Sequence, residues 1–366
     1  MTHTLYQTRL TAVRQNLANW EINAIFITDP TNRRWLSGFT GSAGVLFISP
    51  DHALIGTDFR YWEQAQQQAP DFALFKTGRT ADMPKDHDLI KKIGQGIVGI
   101  EGDSMSVNQF SQLHEKLAEA DIHLEALKNP VNNLRHVKTA REIDQIRQAA
   151  AITDWAMAQV NELFRPGMSE KEAAWELEKL MREHGADSLA FDIIVASGPN
   201  AALAHHRPGN RPLQTGDTIV IDMGAKFNGY HSDMTRTFHL GSNPSEKFWE
   251  IYNLVHTAQQ NALNHIKAGL TGAEIDALAR DVIIQAGYGE QFGHGLGHGV
   301  GLDIHEGPRL GSTHKDPIPA GAIVSVEPGV YLPNWGGVRI EDLVLITETG
   351  FEFISHCPKN PIIDTE

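Results

Sequence analysis

The hydrophobic pattern of the first third of the chain alternates between helical and extended spacing. Apolar residues three or four positions apart predict an N-terminal helix that ends at Trp20. Further on, short runs of β-branched and other apolar residues, bounded by turn-forming residues, predict strands. Strands are expected at residues 24–27, 44–48, 53–55, 72–75 and 96–100, and further helices at residues 59–68 and 107–120. This alternation predicts a compact α/β domain.

A change of pattern near residue 130 indicates a domain boundary. Asn129 and Pro130 form a turn signal that closes the α/β pattern. Beyond it, apolar residues from Ile143 to Met157 recur at spacings of three and four, which predicts a long helix with one buried face. The 366 residues also exceed the size at which a single core usually stops growing. We therefore expect two domains, residues 1–129 and 130–366.

Three more helices are predicted in the second domain. Two of them begin with a capping box, in which a hydroxyl and a carboxylate each bind the other's free backbone N–H group. The boxes are Ser169 with Glu172 and Thr271 with Glu274. A third helix is expected over residues 244–267. Strand-like segments rich in valine and isoleucine lie between these helices.

The second domain also contains two segments that resemble each other. Residues 216–224 (GDTIVIDMG) align without a gap on residues 321–329 (GAIVSVEPG) at a constant offset of 105. Each segment is a β-branched strand that ends in an acid, and a second acid follows 11 or 14 residues later, a separation that fits a β-hairpin. The acids are Asp222 and Asp233 in the first copy and Glu327 and Glu341 in the second. We therefore expect two related halves, each with a pair of acids on adjacent strands.

Four acids in equivalent places indicate a cation site. Burying an ionised carboxylate without a partner is costly, and crowded carboxylates raise one another's pKa. Two divalent ions would nearly cancel four negative charges, whereas one ion would leave the site strongly negative. A pair of ions can also activate water and polarise a carbonyl at the same time. This pattern predicts a hydrolase.

Residues 293–306 (GHGLGHGVGLDIHE) combine three histidines with glycine at almost every second position. Glycine lets the backbone approach a ligand closely, and neutral imidazole is the commonest protein metal ligand. A mobile glycine-rich loop with incidental histidines would show the same local pattern, and it is the four acids that favour metal chemistry. Adding His298 to them gives an oxygen-rich set with one nitrogen, which suits manganese, iron, cobalt or zinc in an open catalytic site.

Composition narrows the classes of partner. The chain has 31 Lys and Arg against 45 Asp and Glu, and its formal charge of −14 disfavours nucleic acid or an anionic membrane as a partner. No apolar run reaches the roughly 18 residues needed to cross a bilayer, and we expect no signal peptide. The single cysteine, Cys357, rules out an intrachain disulfide and favours a cytoplasmic location.

Together these residues carry a family resemblance. The ordered set Asp222, Asp233, His298, Glu327 and Glu341, in His-Gly-x-x-His, Glu-Pro-Gly and Arg-Ile-Glu-Asp contexts, resembles the M24 metallopeptidases, which include aminopeptidase P, prolidase and methionine aminopeptidase. The resemblance covers most of the chain. It implies a C-terminal catalytic domain with the pseudo-twofold α/β "pita-bread" fold, preceded by a creatinase-like N-terminal α/β domain. Because methionine aminopeptidases usually lack that first domain, the resemblance favours Xaa-Pro peptidases.

The resemblance also implies roles for individual residues. The five residues of the ordered set would bind two divalent ions, with manganese expected and cobalt, zinc or iron as alternatives. Glu327 would also accept and pass on a proton. His205 would lie near the scissile amide, and His305 would bind the substrate carbonyl. The remaining implied site residues are His294 in the proline pocket, Tyr331 near the metals and Arg339 beside the ligands, whereas His206 is interpreted as a bystander.

The implied activity is that of an Xaa-Pro aminopeptidase, which cleaves between an N-terminal residue and a following proline. The nearest alternative is a strict Xaa-Pro dipeptidase, or prolidase, in which the pocket beyond proline is closed around a free carboxylate. A metal-free creatinase-like hydrolase and a non-enzymatic binding module share the fold, but both depart from the ligand set that this chain keeps. The partner is therefore expected to be an Xaa-Pro peptide, and the resemblance implies a homodimer.

Overall fold

The first unit of the computed structural model surrounds a six-stranded sheet with helices. The structure describes residues 2–78, 80 and 82–364, and their side chains from residue 5 onward. The strands are β1 (Ala24–Ile27), β2 (Val45–Ile48), β3 (Ala53–Thr57), β4 (Ala73–Lys76), β5 (Gly96–Glu101) and β6 (Ile122–Leu127). The helices are α1 (Thr2–Asn16), α2 (Pro30–Ser37), α3 (Trp62–Gln68), α4 (Asp86–Ile90) and α5 (Val107–Leu117). The sheet order is β4-β3-β2-β1-β5-β6, with β2 antiparallel to both of its neighbours and the other pairs parallel.

The expected strands of this unit are confirmed, and so is its α/β class. The expected first helix was too long, because α1 ends at Asn16 and not at Trp20. Glu21 adopts a left-handed conformation (φ 57°), and the N–H of Ile22 turns back to the carbonyl of Leu17 at 3.0 Å. That turn stops the helix before the apolar spacing ends. Helix α2 was missed, although the Asp29 cap, which accepts the N–H of Asn32 at 2.8 Å, is a start signal in the sequence.

The second unit begins at Arg135, a few residues after the turn at Asn129. Its helices are α6 (Ala140–Ala158), α7 (Val160–Leu163), α8 (Glu170–Glu183), α9 (Glu246–His265) and α10 (Gly272–Gln285). Its first strands are β7 (Ser188–Leu189), β8 (Ile194–Ser197), β9 (Thr218–Met223), β10 (Ala225–Phe227), β11 (Tyr230–His231) and β12 (Met234–Leu240). The later strands are β13 (Gly297–Gly299), β14 (Glu306–Leu310), β15 (Ile323–Val326), β16 (Gly329–Leu332), β17 (Gly336–Arg339), β18 (Asp342–Ile346), β19 (Phe351–Phe353) and β20 (Ile362–Ile363).

Two main sheets carry the two halves of this unit, and the expected repeat is visible in both. The first half, α6 to β12, provides the strands β12-β9-β8 of one sheet, and the second half, α9 to β18, provides the strands β14-β13-β15-β18 of the other. The C-terminal strands β20 and β19 extend the first and the second sheet, respectively. In each half helices precede a central antiparallel pair: α6, the short α7 and α8 come before β9 with β12, and α9 and α10 come before β15 with β18. Isolated bridges join Ser169 to Pro212 and Thr271 to Pro317 at equivalent places.

The connection between the paired strands differs from the expected hairpin. Strands β9 and β12 are antiparallel neighbours, with Asp222 opposite Thr235, but the chain between them forms a hairpin of its own, β10 with β11. The second half repeats this arrangement with the hairpin of β16 and β17 between β15 and β18. The acids of each pair therefore lie in or directly beside neighbouring strands, without being joined by a single turn.

Both expected capping boxes are confirmed at the helix starts. The Ser169 hydroxyl accepts the N–H of Glu172 at 3.2 Å, and the Glu172 carboxylate accepts the N–H of Ser169 at 2.7 Å. Thr271 and Glu274 make the same exchange at 3.2 and 2.8 Å. These caps fix where α8 and α10 begin, and their apolar faces then pack on the sheets of their own halves.

Among the helices that the structure describes, none has both the length and the apolar character needed to cross a membrane.

Candidate metal centre and active site

A cavity of about 600 Å³ lies in the second unit, where the two halves meet. All five residues that the sequence predicts as metal ligands line it. They are Asp222, Asp233, His298, Glu327 and Glu341. Four further predicted site residues, His205, His294, His305 and Arg339, also line this cavity. Tyr331 is not among the lining residues, but its hydroxyl lies 3.0 Å from Nε2 of His294, which does line the cavity.

The predicted ligands come from both halves and from the ends of central strands. Asp222 lies in β9 and Asp233 directly precedes β12. Glu327 directly follows β15, Glu341 directly precedes β18, and His298 is the middle residue of β13. The repeat thus places two acids of one half against two acids and a histidine of the other. Residues that are far apart in sequence form one cluster.

The distances within the cluster match a shared cation site. The Nε2 atom of His298 lies 3.6 Å from Oδ2 of Asp233 and 3.3 Å from Oε1 of Glu327. One potential ligand atom each from Asp233, His298 and Glu341 lie within 4.8 Å of one another. The other ring nitrogen of His298, Nδ1, lies 3.1 Å from the carbonyl of Gly299, and this contact orients Nε2 toward the acids.

Two buried carboxylate oxygens of the cluster have no hydrogen-bond partner among the described residues. They are Oδ1 of Asp222 and Oε1 of Glu341. Their companion oxygens are both occupied, since Asp222 accepts from Arg339 and Glu341 accepts from the Thr235 hydroxyl at 2.7 Å. An unpartnered buried carboxylate oxygen is costly unless a cation binds it. The donor set, four carboxylates and one imidazole, therefore fits a pair of divalent ions.

The pKa shifts of the cluster residues also fit a site for divalent ions. Burial, together with the charges of the neighbouring acids, raises the pKa of Asp233 and of Glu341 well above the ordinary values. Burial likewise raises the pKa of Glu327 to about 7. Burial and the nearby His305 lower the pKa of His298 to about 4, so its imidazole is neutral at physiological pH and able to ligate a metal. Positive charge from bound ions would let all of the acids ionise together.

Arg339 connects the acids to the predicted substrate side of the cavity. Its Nη2 donates to Oδ2 of Asp222 at 2.6 Å, and its Nε donates to the Thr235 hydroxyl at 3.0 Å. Its Nη1 donates to the Tyr331 hydroxyl at 2.8 Å. The side chain is buried, so each of these bonds forms away from bulk water. Arg339 thus holds an acid of the first half from a strand of the second.

The predicted histidines occupy different parts of the cavity. His305 packs edge-on against His298, with ring centroids 4.4 Å apart, and its side chain is exposed to the cavity. His205 is exposed on the loop that follows β8. His206 lines the same cavity, and its Nε2 lies 2.8 Å from Oε2 of the buried Glu170, a contact that the sequence interpretation of His206 as a bystander did not include.

Several residues that contact the cluster were missed in the sequence. The Ser325 hydroxyl accepts the backbone N–H of His298 at 3.0 Å and donates to Glu327 at 2.8 Å, thereby orienting both predicted ligands. Thr235 supports Glu341 in a similar way. The sequence contained a signal for both residues, because alternate residues of a strand share a face. Thr235 follows Asp233 by two positions, and Ser325 precedes Glu327 by two.

Arg309 was also missed. It lies in β14 directly opposite His298 in β13, is exposed and lines the cavity. The part of the chain that the structure describes gives its guanidinium no carboxylate partner. Arg207 and His314 line the same cavity, so positively charged and titratable groups gather outside the acid cluster. Nothing in the local sequence distinguishes Arg309 from an ordinary surface arginine.

Among the glycines of residues 293–306, Gly297 and Gly299 make the closest backbone contacts. A Cβ atom on Gly297 would lie 2.0 Å from the carbonyl oxygen of Ser325, and one on Gly299 would lie 2.1 Å from that of Gly307. Both distances are far inside van der Waals contact. Glycine at these two positions therefore lets the strand that bears His298 lie against its neighbours in the cluster.

Comparison with protein families identifies both parts of the chain. Residues 144–348 match the model for metallopeptidase family M24, and residues 9–137 match the creatinase/prolidase N-terminal domain. The Xaa-Pro dipeptidase of Pyrococcus furiosus is 37% identical over 332 residues, which cover 90% of this chain and 92% of that protein.

Solved structures give the same result for the fold. A structure described as the Xaa-Pro dipeptidase from Bacillus anthracis has a TM-score of 0.92 and 41% identity, and the match covers 98% of this chain and 99% of that one. The X-Pro aminopeptidase from Thermotoga maritima has a TM-score of 0.85 and 36% identity, with coverage of 96% and 99%. These matches confirm the expected pita-bread fold and creatinase-like N-terminal domain. The chain therefore belongs to metallopeptidase family M24 and is a hydrolase.

Proposed function

We propose that this chain is an Xaa-Pro peptidase that uses two divalent metal ions. The observation that carries the proposal is the cluster of four acids and His298 in one cavity, in which Asp222 and Glu341 each keep a buried carboxylate oxygen without a hydrogen-bond partner among the described residues. The five predicted ligands would hold the ions. The proposal is further supported by relatives that are named as Xaa-Pro dipeptidase and X-Pro aminopeptidase and that match nearly the whole chain.

When bound, the ions would activate water and polarise the scissile carbonyl. Glu327 is assigned to accept the proton of the attacking water and to pass it to the leaving proline nitrogen. His305 is assigned to donate a hydrogen bond to the substrate carbonyl oxygen as negative charge develops there. His205 would lie near the scissile amide, and His294, held by Tyr331, would line the proline pocket.

Arg339 has an indirect part in this scheme. It binds Asp222 directly. It also binds the Thr235 hydroxyl, which supports Glu341, and the Tyr331 hydroxyl, which contacts His294. Proline suits such a site because its tertiary amide has no N–H, so the enzyme need not satisfy a donor at the bond to be cleaved.

A dipeptidase is favoured over the aminopeptidase by one specific observation. Arg309 places a guanidinium in the cavity without a carboxylate partner among the described residues. An arginine fork on the cavity wall is well suited to a carboxylate, and a dipeptide presents its free carboxylate directly after proline. A longer peptide has an uncharged amide at that place. We therefore propose Xaa-Pro dipeptides as the preferred substrates, with the aminopeptidase activity as the second candidate.

The deciding experiment compares Ala-Pro, Ala-Pro-Ala and Ala-Ala as substrates of metal-reconstituted protein. We expect Ala-Pro to be cleaved with the highest kcat/KM and Ala-Ala to be cleaved slowly. A higher kcat/KM for Ala-Pro-Ala would establish the aminopeptidase instead. If none of several metals supports cleavage of either proline peptide, the proposed function is wrong.

The proposal includes the finer expectations from the sequence. Manganese is expected because the ligands are mostly carboxylates, and metal analysis of the purified protein tests this. A homodimer is expected, and light scattering measures its mass. A cytoplasmic location is expected, and cell fractionation tests it. The domains are expected at residues 1–129 and 130–366, and limited proteolysis tests this boundary.

A further inference from the structure

The carboxylate of Glu170 lies at the start of α8 and is completely buried, yet the proposed chemistry does not use it. Its Oε1 accepts the backbone N–H and the hydroxyl of Ser197 at 2.9 and 2.7 Å and the amide of Asn200 at 2.9 Å. Its Oε2 accepts the N–H of Gly209 at 3.0 Å and pairs with Nε2 of His206 at 2.8 Å. One side chain thus satisfies five polar groups.

The helix itself does not need this carboxylate. The start of α8 is already capped by Ser169 and Glu172. The second half provides an internal comparison, because α10 has the same cap but carries Gly272 at the position that Glu170 occupies in α8. A Cβ atom on Gly272 would lie 2.1 Å from the carbonyl oxygen of Arg309, so α10 packs directly on the strand there. The buried carboxylate is therefore specific to the first half.

The partners of Glu170 lie at both ends of one loop, residues 198–209. Ser197 and Asn200 are at its beginning, and His206 and Gly209 are at its end. Between them lies His205, whose side chain lines the cavity. Since a single buried carboxylate binds both ends, the position of the loop depends on that carboxylate.

A second contact joins the same loop to the acid cluster. The carbonyl oxygen of Ala204, next to His205, accepts from Nη1 of Arg339 at 3.3 Å. This bond is longer than those made by Glu170 and involves the loop at one point only. Glu170 therefore contacts the loop at three residues, Asn200, His206 and Gly209, whereas Arg339 contacts it at Ala204 alone.

The charge state of Glu170 is suited to this task. Burial alone would raise its pKa, but the hydrogen bonds from Asn200, His206 and Ser197 outweigh burial and hold the pKa below its ordinary value. The group is thus ionised at neutral pH, and hydrogen bonds to an ionised acceptor are roughly twice as strong as those between neutral groups.

We propose that Glu170, together with His206, is a positioning residue that fixes the loop 198–209 and so sets the place of His205 in the cavity. The proposal rests on the role assigned to His205 in the proposed function. It predicts that loosening the loop slows turnover while the metal cluster, whose predicted ligands are not among the hydrogen-bond partners of Glu170, keeps its ions. Neither Glu170 nor His206 needs to touch the substrate for this effect.

The test uses full-length, metal-loaded Glu170→Gln with Glu172→Gln as the matched control. Glutamine keeps the size of Glu170, but its amide group places N–H donors against those of Gly209 and His206. Glu172→Gln weakens the helix cap without touching the loop. We expect Glu170→Gln to lower kcat for Ala-Pro about 10-fold or more, with KM changed less than about three-fold and bound metal unchanged. The control should stay within about two-fold of the wild type.

A double substitution tests whether Glu170 acts through His205. If it does, Glu170→Gln should lower kcat much less in a His205→Ala background than in the wild type. Equal effects in both backgrounds would overturn the proposal. If His205→Ala alone leaves kcat unchanged, the role of His205 in the proposed function fails, and the exchange measurement then decides whether Glu170 fixes the loop.

Hydrogen exchange gives a readout that does not depend on any substrate. We expect the backbone amides of residues 197–209 to exchange about 10-fold faster or more in Glu170→Gln, and at the wild-type rate in Glu172→Gln. Unchanged protection of this loop would overturn the proposal even if activity fell. If the wild type cleaves no Xaa-Pro peptide, the proposed function fails, and the exchange data still decide whether Glu170 fixes the loop. If Glu170→Gln does not fold, His206→Gln replaces it as the test variant, because this change removes only one of the partners of Glu170. It should then show a smaller fall in kcat and a smaller increase in amide exchange.

Discussion

Arg339 and Asp222 form a buried ion pair across the two halves of the second unit, with Nη2 and Oδ2 2.6 Å apart. The two residues are 117 positions apart in the sequence. The same guanidinium also binds the Thr235 and Tyr331 hydroxyls. It therefore orients an acid of the cluster and the hydroxyl partner of His294 at once.

Replacing Arg339 by glutamine should remove most of the activity. The change leaves Asp222 and the Tyr331 hydroxyl without their charged donor, and breaking a buried pair of this kind costs several kcal/mol. We expect kcat/KM for Ala-Pro to fall about 100-fold or more, together with weaker metal binding. Kinetics and metal analysis measure both effects. Arg147→Gln, which removes an exposed pair with Glu352, is the control and should be close to the wild type.

The glycine-rich strand offers a test with a matched pair of substitutions. Gly297→Ala would place a methyl group 2.0 Å from the Ser325 carbonyl oxygen, whereas nothing lies within 4 Å of a Cβ on Gly293. We therefore expect Gly297→Ala to displace His298 and to lose about 100-fold or more of the metal affinity, and Gly293→Ala to bind metal normally. Titration with manganese distinguishes them. Equal affinities would show that the close approach at Gly297 is not needed.

Arg309 should determine the preference between dipeptides and longer peptides. If its guanidinium binds the carboxylate that follows proline, Arg309→Gln should raise KM for Ala-Pro about 10-fold or more and leave KM for Ala-Pro-Ala nearly unchanged. Steady-state kinetics on the two peptides checks this. An equal change for both peptides would assign Arg309 to the general charge of the cavity and not to substrate selection.

Chelation should reduce stability as well as activity. Without cations the cluster buries acids whose charges repel one another, so the metal-free protein is the less stable form. A ligand present at about 100 times its Kd stabilises by roughly 2.7 kcal/mol, which for a unit of this size corresponds to a Tm higher by about 5–10 °C. Calorimetry with and without a chelator measures the difference. A Tm that does not change would contradict metal binding by these residues.

Glu306 provides a pH-dependent contribution to stability away from the metal ligands. It is buried and paired with Arg135, and it accepts from Nζ of Lys138 at 2.7 Å. Burial alone would raise its pKa, but the charges of Lys138 and Arg135 outweigh burial and hold the pKa below the ordinary value. The folded state thus favours the ionised form, and its contribution to stability is present above the unfolded-state pKa, about 4.3, and is lost as the pH falls through the folded-state pKa.

Glu306→Gln should therefore destabilise the protein near pH 7 and less below pH 4. The loss near neutral pH is expected to be about 3–5 kcal/mol, because two buried cations lose their ionised partner. Urea unfolding at pH 7 and at pH 3.5 measures the two values. If the loss is the same at both pH values, the ion pairs do not account for the stability of this segment.

The parts of this molecule that were predictable from sequence are those that local pattern controls. The caps at Ser169 and Thr271 and the repeated strands β9 and β15 follow from short-range chemistry and periodicity, and each was located correctly. The cluster of acids followed from the repeat, because equivalent strand ends meet when two halves pack about a common axis.

The parts that were missed depend on contacts between distant segments. The Glu170 carboxylate appears in the sequence as one more acid in the first turn of a helix, and only the fold brings the ends of the loop 198–209 to it. Arg309 likewise becomes notable only because β14 pairs with the strand of His298. Periodicity shows which face a side chain occupies, but not which partner from another segment it meets there.

Because the predicted ligands come from both halves, bound ions would also affect the stability of the folded chain. An ion bound to Asp222 and Glu341 would close a loop of more than one hundred residues, since even Asp222 and Arg339 are 117 apart. Such a bridge restricts the unfolded chain much as a long-range disulfide does. This chain has one cysteine and can form no disulfide within itself. The catalytic ions would then also act as a reversible cross-link, whose strength depends on the metal supply of the cell.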